Sequence, residues 1–317
     1  MLELSDREIV AARPAKEAVD PYRPYAFLVE PEPTAEGRVE DVATLFLTNR
    51  ECPFRCLMCD LWRHTTDEPV PVGAIPAQID HALERLPPAR HVKLYNSGNF
   101  FDVKAIPPAD HEPIARRVSR FDTVIVENHP KLTGENVVRF RDLLGGSRLE
   151  VAMGLETVHP EVLPALNKRM SLDDFERAAR FLTGHGIAVR AFILLRPPFL
   201  TEQEGVEWAL RSIAWAFDVG VSCCALIPAR AGNGVMDRLE RDGRFRPPSM
   251  RSIETVLEAG LSLGRGRVLM DLWDLERFAG CERCTPRRKE RLHAMNLGQR
   301  PLPPVSCDVP GCPDTAA

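Results

Sequence analysis

Short apolar runs alternate with amphipathic segments through the middle of this chain. The apolar runs are rich in β-branched residues and predict strands at Val42–Leu47, His91–Tyr95, Thr123–Val126, Leu149–Met153, Val189–Leu195 and Val221–Ile227. The segments between them repeat apolar residues at helical spacing and predict helices at Ile75–Leu86, Glu112–Phe121, Gly134–Leu144, Leu172–His185 and Gln203–Phe217. Because strands alternate with helices of this length, the pattern predicts right-handed βαβ units and a parallel sheet.

Six such units predict an α/β fold with an open, partial (βα) barrel. A closed eight-unit barrel usually needs about 250 residues for its units alone, and after Ile227 the pattern changes to a connection rich in Gly and Arg. We therefore expect an N-terminal arm over residues 1–41, a barrel over 42–265 and a short cysteine-containing extension over 266–317.

Composition narrows the classes of function. The chain has 317 residues, 44% of them hydrophobic, which suits a globular core, and a net charge of −4, which offers no general attraction to nucleic-acid phosphates. Its nine cysteines come without a signal-peptide pattern and without an apolar run near the roughly 18 residues that a membrane helix needs. We therefore expect a cytoplasmic protein with no membrane contact, whose cysteines are metal ligands or core residues.

Three cysteines directly follow the first predicted strand. Cys52, Cys56 and Cys59 have the spacing C-x3-C-x2-C, which suits three irons of a [4Fe–4S] cluster and leaves the fourth iron without a protein ligand. Such an iron can bind the amino and carboxylate groups of S-adenosylmethionine (SAM). The alternative is a zinc knuckle, for which His64 is the candidate fourth ligand. The spacing, at the end of a first strand, resembles the radical-SAM superfamily.

Ligands of parallel α/β sheets bind at the carboxyl ends of the strands, and polar residues lie there in this sequence. Glu127 and Glu156 end two predicted strands and could accept hydrogen bonds from ribose hydroxyls, or could serve as a helix cap or ion-pair partner. Lys168 could neutralise the methionine carboxylate of SAM, and Arg196 could bind a carboxylate through both its nitrogens. His129 and Arg196 are the candidate catalytic residues.

The order of the segments carries a sharper resemblance. The matching segments are Tyr95–Phe100, Val126–Pro130, Gly154–Thr157 with Asn167–Lys168, Leu194–Phe199 and Arg246–Pro248. Together they resemble the radical-SAM branch that includes the archaeosine synthase radical subunit and, more remotely, the Elongator catalytic subunit. The resemblance runs from about Leu45 to Leu261. It implies that Cys52, Cys56 and Cys59 hold the cluster, that Ser97 and Gly98 lie near the SAM amino group, and that Glu156 and Lys168 lie in the cofactor pocket.

A second group of cysteines lies near the C-terminus. Cys281 and Cys284 form a C-x2-C pair, and Cys307 and Cys312 form a looser C-x4-C pair. Four thiolates suit either a zinc ion or a second iron–sulfur cluster, and both alternatives stay open beside reduced free thiols. The basic run Arg287–Lys289 between the pairs favours a solvated helical face over a phosphate-binding surface, since no aromatic residues interleave with it. Cys223 and Cys224 lie in a predicted strand and are expected in the core.

These patterns predict a radical-SAM enzyme with a [4Fe–4S] cluster and SAM as cofactors. The resemblance implies reductive cleavage of SAM to a 5′-deoxyadenosyl radical, with an electron donor such as flavodoxin or ferredoxin. The acidic composition favours a small polar metabolite as substrate, for example a sugar or a natural-product intermediate. The resemblance and the basic run favour a tRNA nucleoside instead. A third alternative is a non-catalytic zinc-binding module.

Overall fold

One curved sheet organises the molecule. The computed structural model describes residues 4–314, and within that range eight strands lie in the order β1 to β8. The strands are β1 (Ala26–Pro33), β2 (Val39–Phe46), β3 (His91–Tyr95), β4 (Thr123–Glu127), β5 (Arg148–Glu156), β6 (Ala188–Leu195), β7 (Cys223–Pro228) and β8 (Arg267–Met270). β1 pairs with β2 in antiparallel fashion, and every later pair of neighbours is parallel.

Helices connect the parallel strands. In the described range they are α1 (Asp6–Ala11), α2 (Ala74–Leu83), α3 (His111–Val118), α4 (Glu135–Leu143), α5 (Val162–Ala165), α6 (Leu172–Gly184), α7 (Glu202–Asp218), α8 (Val235–Arg241), α9 (Met250–Ser262) and α10 (Thr285–Gly298). The order of elements from β2 to β8 contains six βα units, so the predicted partial barrel is confirmed. No helix in residues 4–314 is long and apolar enough to cross a membrane.

Two strands extend the sheet beyond the six that the sequence predicts. β1 lies within the expected arm, and its prolines, Pro31 and Pro33, weaken a strand pattern in the sequence. Proline is tolerated there because β1 is an edge strand. β8 has four residues, too few for a clear alternation, and lies within the expected C-terminal extension. The two segments flanking the barrel in sequence therefore supply its two edge strands.

The inner face of the sheet carries buried charges at the amino ends of the strands. Arg190, which is 2% exposed, donates to Glu150 at 2.6 Å and also pairs with Glu32. Lys93 pairs with Glu32, and Arg267 lies 2.7 Å from Glu150. Glu32 and Glu150 each face at least two cations. These cations hold the pKa of each carboxyl group below its usual range despite burial. This network fills the floor of the half-barrel, so its lumen opens at the carboxyl ends of the strands.

Helix α10 bridges the two edges of the sheet. It packs against both β1 and β8. Its Asn296 side chain accepts a hydrogen bond from the Met270 N–H at 2.9 Å and donates to the Met270 carbonyl at 2.8 Å, and Gln299 makes the same pair of bonds with Val268, both at 2.9 Å. The two amides thereby satisfy the outer edge of β8 in place of another strand.

In the basic run at the start of α10, Arg287 and Lys289 are exposed as expected for a solvated face, whereas Arg288 is buried. Arg288 and Arg291 are 2% and 6% exposed, and both pair with Glu254 of α9. The reason is tertiary, since α9 presents a buried carboxylate to this helix. The expectation for Cys223 and Cys224 is confirmed, because both are fully buried.

Candidate active site at the mouth of the half-barrel

The first three cysteines lie in a loop that follows β2 at the carboxyl edge of the sheet. Cys52, Cys56 and Cys59 are each partly exposed as residues. The Asn99 amide donates to the Cys52 Sγ at 3.2 Å, a bond that stabilises a thiolate. Desolvation of the thiols raises the pKa of Cys56 to about 11 and raises those of Cys52 and Cys59 as well. The thiols therefore keep their protons at neutral pH until a metal displaces them.

Two later loops fix the shape of this cysteine loop. The Leu57 N–H donates to the Leu166 carbonyl at 2.9 Å, and the Asn167 amide donates to the Arg55 carbonyl at 2.8 Å. From the loop after β7, the Asn233 amide donates to the Leu57 carbonyl at 2.8 Å. The loop is thus held by backbone and amide contacts that leave its cysteine side chains available.

The sulfur positions argue against a zinc knuckle here. Within residues 4–314, the only group of three or more candidate ligands whose atoms all lie within 4.8 Å of one another is the C-terminal set. Cys52, Cys56 and Cys59 are therefore not gathered around a single ion, whereas a cubane cluster places each cysteine on a different iron. The His64 ring is instead stacked on Tyr25, with ring centroids 4.4 Å apart.

The segment after β3 faces the cysteine loop and fits a bound ligand. A Cβ on Gly98 would lie 3.2 Å from the Cys52 Cβ, so glycine permits a close approach of the two segments. Ser97 has a left-handed backbone, and its hydroxyl donates to the Tyr25 hydroxyl at 3.1 Å. Both polar atoms of the Asn96 side chain are buried without a hydrogen-bond partner among the described residues. Buried amides of this kind are normally satisfied, so the vicinity of Asn96 suits a polar cofactor.

Glu127 supports this segment from below. Its carboxylate accepts a hydrogen bond from the Asn96 N–H at 2.9 Å and further bonds from the N–H groups of Ser97 and Gly98. Burial raises the pKa of Glu127 to about 7 in spite of these bonds. Because its acceptor oxygens are engaged by the backbone, Glu127 shapes the loop. That placement differs from the expected contact with a ribose.

Glu156 and Lys168 form a buried ion pair above β5. The Lys168 Nζ lies 2.6 Å from the Glu156 Oε1, and their side chains are 10% and 7% exposed. β5 shifts register between Gly154 and Glu156, and Glu156 has a φ of 66°. The nearby Glu156 carboxylate and the sulfurs of Cys56 and Cys52 raise the pKa of Lys168 above its usual value despite burial, so it stays charged. The structure therefore brings Lys168 into the electrostatic environment of the cysteine loop.

His129 positions the cysteine loop through its ring. The imidazole stacks on Phe54 with centroids 3.7 Å apart and planes 12° from parallel. Its Nδ1 accepts from the Lys131 N–H at 3.2 Å, so its Nε2–H donates to the Lys168 carbonyl at 3.0 Å. Burial and the Lys168 charge lower the pKa of His129 to about 3. Since the ring is neutral with both nitrogens engaged, this geometry fits a positioning residue better than the expected catalytic one.

Arg196 also has partners within the chain. Its guanidinium pairs with Glu202 and donates to the Pro247 carbonyl at 2.7 Å. Glu202 additionally accepts from the Ser249 N–H at 2.8 Å. This network joins the loop after β6 to the start of α9, so the carboxylate that the sequence led us to expect for Arg196 belongs to the protein itself.

Aromatic side chains line the lumen beside the cysteine loop. By strand alternation Phe46, Tyr95 and Phe192 point inward, and each is only partly buried. Neighbouring rings contact edge to face, with centroids 6.2 Å apart for Phe46 and Tyr95 and 6.1 Å for Tyr95 and Phe192. Trp273 adds a ring 6.3 Å from Phe46 and is 52% exposed. The lumen thus offers flat apolar surfaces that lead to its opening.

The backbone of Trp273 is fixed by a polar pair at the end of β8. Its N–H donates to the Asp271 carboxylate at 3.0 Å, and its carbonyl accepts from Arg230 at 3.2 Å. Arg230 also pairs with Asp271. A charged pair therefore lies next to the exposed ring at the opening of the lumen.

A second opening is lined in part by Phe54. It is a cavity of about 620 Å³, open to solvent, whose lining includes Asn167, Lys131 and Arg169. The two cations face Asp174 and Asp6, respectively. This cavity adjoins the segments that hold the cysteine loop.

Sequence reasoning missed several residues that support the site. Asn99 and Asn233 hold the cysteine loop, and Tyr25 contacts Ser97. The only local signal is that Asn99 lies within Tyr95–Phe100, one of the segments that carry the family resemblance. Asn233 and Tyr25 are distant in sequence from the residues they contact, so no spacing pattern could reveal them.

Several known proteins are similar to this chain in sequence or in fold. The chain is 24% identical to an uncharacterized protein of Methanocaldococcus jannaschii over 88% of this chain and 82% of that protein. It is 29% identical to archaeosine synthase subunit beta of Methanosarcina acetivorans, over 64% of this chain and 60% of that subunit's length. The crystal structure of methylornithine synthase superposes with a TM-score of 0.55 at 14% identity, over 94% of this chain and 81% of that one. No protein-family model matches the sequence.

The three-cysteine loop, the half-barrel and these relatives identify the chain as a member of the radical-SAM superfamily of enzymes. Within the superfamily, its similarity to archaeosine synthase subunit beta extends to a second such protein, from Thermococcus kodakarensis, at 28% identity. The aligned region covers less than two thirds of the length of each of those two subunits.

Proposed function

We propose that this chain is a radical-SAM enzyme that modifies a nucleoside in tRNA. The observation that carries the proposal is the aromatic lumen beside the cysteine loop. Phe46 ends the strand that leads into that loop, and its ring contacts both Tyr95 and the exposed Trp273. A lumen with flat apolar walls and a charged pair at its opening suits a nucleobase, which has aromatic faces and a polar edge.

Cys52, Cys56 and Cys59 would hold the [4Fe–4S] cluster, and the segment containing Ser97 and Gly98 would lie beside SAM. When bound, the cluster and SAM supply one-electron cleavage of the SAM carbon–sulfur bond, which yields methionine and a 5′-deoxyadenosyl radical that takes a hydrogen atom from the substrate. A small electron-transfer protein such as flavodoxin or ferredoxin would provide the electron.

The residues of the chain itself contribute charge balance and exclusion of water. Asn99 donates to the Cys52 sulfur, and the Lys168 ammonium offsets negative charge on the thiolates. The ionic floor around Arg190 closes the amino end of the lumen, so a reactive carbon would be shielded on that side. Glu127 and His129 hold the neighbouring loops in place through their hydrogen bonds.

The substrate class rests on the relatives and on local charge. Two relatives are named for the synthesis of archaeosine, a modified nucleoside, which favours tRNA over the small polar metabolite that the composition suggested. The net charge of −4 offers no general attraction to RNA. The local cations at the cavity beside Phe54 are Lys131 and Arg169, each of which is shared with a carboxylate, Asp174 and Asp6 respectively.

The test is release of 5′-deoxyadenosine by the anaerobically reconstituted, chemically reduced enzyme. Three reactions are compared: no addition, bulk tRNA and a tRNA-free small-metabolite extract. We expect stimulation by bulk tRNA that falls as salt is raised, because contacts with phosphates weaken with salt.

Cys56→Ala serves as the blank, and Cys224→Ala as a matched control, because Cys224 lies in the outer core away from the lumen. Stimulation by the metabolite extract alone would overturn the tRNA substrate and keep the radical chemistry. Equal release by wild type and Cys56→Ala under every condition would overturn both.

A further inference from the structure

The four C-terminal cysteines come together although they lie on two separate segments. The Sγ atoms of Cys281 and Cys307 are 3.8 Å apart, as are those of Cys284 and Cys312. All four sulfurs lie within 4.8 Å of one another. The cluster takes no part in the proposed reaction.

The spacing of the sulfurs separates the alternatives that the sequence leaves open. Four thiolates around one tetrahedral zinc, with Zn–S bonds of about 2.3 Å, have sulfur–sulfur edges of about 3.8 Å. A cubane cluster places its four cysteines on four different irons, which moves the sulfurs farther apart. We propose that Cys281, Cys284, Cys307 and Cys312 bind a single zinc ion as a closed, structural site with four thiolate ligands. Zinc is preferred to ferrous iron in the order of divalent-metal affinities, and tetrahedral thiolate sites suit it.

The surroundings of the sulfurs fit a metal thiolate site. Backbone N–H groups of Arg283 and Cys284 donate to the Cys281 sulfur, and the Val309 N–H donates to that of Cys307. Such N–H bonds in tight turns disperse the negative charge of four thiolates on one divalent ion.

Arg288 adds a full positive charge to the cluster. Its Nε donates to the Cys284 sulfur at 3.2 Å, and the same guanidinium pairs with Glu254 of α9. Because Arg288 is 2% exposed, this charge is fixed in place and not screened by water. The zinc site would therefore be tied directly to the packing of α10 on α9.

The site would fasten a segment that has no regular structure of its own. Residues 299–308 contain neither helix nor strand in the described chain. Arginines of α10 hold them by hydrogen bonds to backbone carbonyls, among them the Arg291 Nε bond to the Pro303 carbonyl at 2.6 Å and an Arg287 bond to the Ser306 carbonyl at 3.2 Å. Past Cys312, the Asp314 carboxylate accepts from the Gly280 N–H at 3.1 Å. A metal that links Cys307 and Cys312 to the start of α10 would add a constraint at the far end of this segment.

The role of the zinc follows from the place of α10. This helix bridges β1 and β8, the two edges of the half-barrel, and its amides satisfy the outer edge of β8. Zinc at its first turn would keep the closing helix and the folded tail against the sheet. The inference does not depend on the proposed reaction.

Metal analysis of the protein as purified and after anaerobic reconstitution tests the site. We expect about one zinc per chain in wild type, in addition to about four irons once the first cluster is reconstituted. Cys312→Ser should lower zinc below about a tenth of the wild-type content, since three-ligand sites hold it weakly, and should leave iron unchanged. Cys56→Ala should lower the iron content and leave the zinc content unchanged. Limited proteolysis of Cys312→Ser should cut the chain between residues 299 and 311 faster than in wild type.

A second measurement covers the case in which Cys312→Ser does not fold. Wild-type protein stripped of zinc by a thiol reagent and chelator, then reduced, should take up one Co²⁺ with the absorption of a tetrahedral thiolate site. About eight irons per chain without zinc would show an auxiliary cluster and overturn the proposal. A single iron in place of zinc, or four extra reactive thiols without any metal, would overturn it equally.

Discussion

The ammonium of Lys168 lies 2.6 Å from the carboxylate of Glu156, and both side chains lie over the backbone of Gly154. The bulge in β5 and the left-handed backbone of Glu156 make this arrangement possible. The pair thereby brings a cation to the thiols of the cysteine loop while remaining almost completely buried. Its geometry depends on the absence of a side chain at position 154.

Gly154→Ala should separate this buried pair. A Cβ at that position would lie 2.1 Å from the Glu156 Oε1 and 2.3 Å from the Lys168 Nζ. We expect a loss of about 3 kcal/mol in the free energy of unfolding, as for other buried pairs that are broken. Urea denaturation measures it. Gly184→Ala is the matched control, because its Cβ would meet no atom within 4 Å, and it should leave stability nearly unchanged. Equal effects of the two changes would contradict the account.

Stability should depend on pH through Glu127. Its pKa in the folded protein is raised to about 7 from an ordinary value of 4.5. Between these values the folded state binds more protons than the unfolded state, so stability falls as pH rises from about 4.5 to about 7. The loss from this one group is on the order of 3 kcal/mol. This loss of stability is complete above about pH 7 and absent below the pKa of Glu127 in the unfolded chain.

Glu127→Gln should remove this contribution. We compare variant and wild type in the same reconstitution state. The free energy of unfolding of the variant minus that of wild type should be larger at pH 8 than at pH 5, because the glutamine amide does not titrate. Urea midpoints at the two pH values measure the difference. A constant offset between variant and wild type across that range would count against the raised pKa.

Trp273→Ala should weaken substrate binding without changing the cluster. Stacking of one base on an aromatic ring contributes about 1–3 kcal/mol, so we expect affinity for substrate tRNA to fall by roughly 5-fold to 150-fold. Filter binding measures affinity, and absorption near 400 nm monitors the cluster. Tyr22→Ala is the control, since Tyr22 is similarly exposed at 49% and its ring contacts no other aromatic ring in residues 4–314. Unchanged affinity in Trp273→Ala would remove the ring from the substrate site.

Asn296→Ala should destabilise the edge of the sheet. The change removes two hydrogen bonds to Met270 and leaves the N–H and carbonyl of an edge strand without protein partners. We expect a loss of about 1–3 kcal/mol and faster amide exchange at Met270. His293→Ala, on the exposed face of the same helix, should have little effect. If both variants unfold at the same urea concentration, the amide does not act as a substitute strand.

Local patterns were sufficient for the framework of this molecule. The strand and helix periods predict six βα units, and the spacing of Cys52, Cys56 and Cys59 predicts their common role as metal ligands. Both signals lie within short windows, where alternation and spacing directly reflect backbone geometry. The two edge strands escaped the same reasoning because β1 contains prolines and β8 is very short.

The assignment of individual roles required the tertiary structure. His129, Arg196 and Glu127 have the chemistry of site residues in the sequence. Their side chains are instead engaged by groups from distant segments, namely Lys168, Pro247 and Asn96 respectively. Arg288 of the basic run and Arg291 after it are buried for the same reason, since Glu254 of α9 faces them, while Arg287 and Lys289 stay exposed. Sequence therefore determines which elements form and which thiols are available, because these depend on neighbours along the chain. Only folding decides which charges are paired and which sulfurs meet, because these depend on neighbours in space.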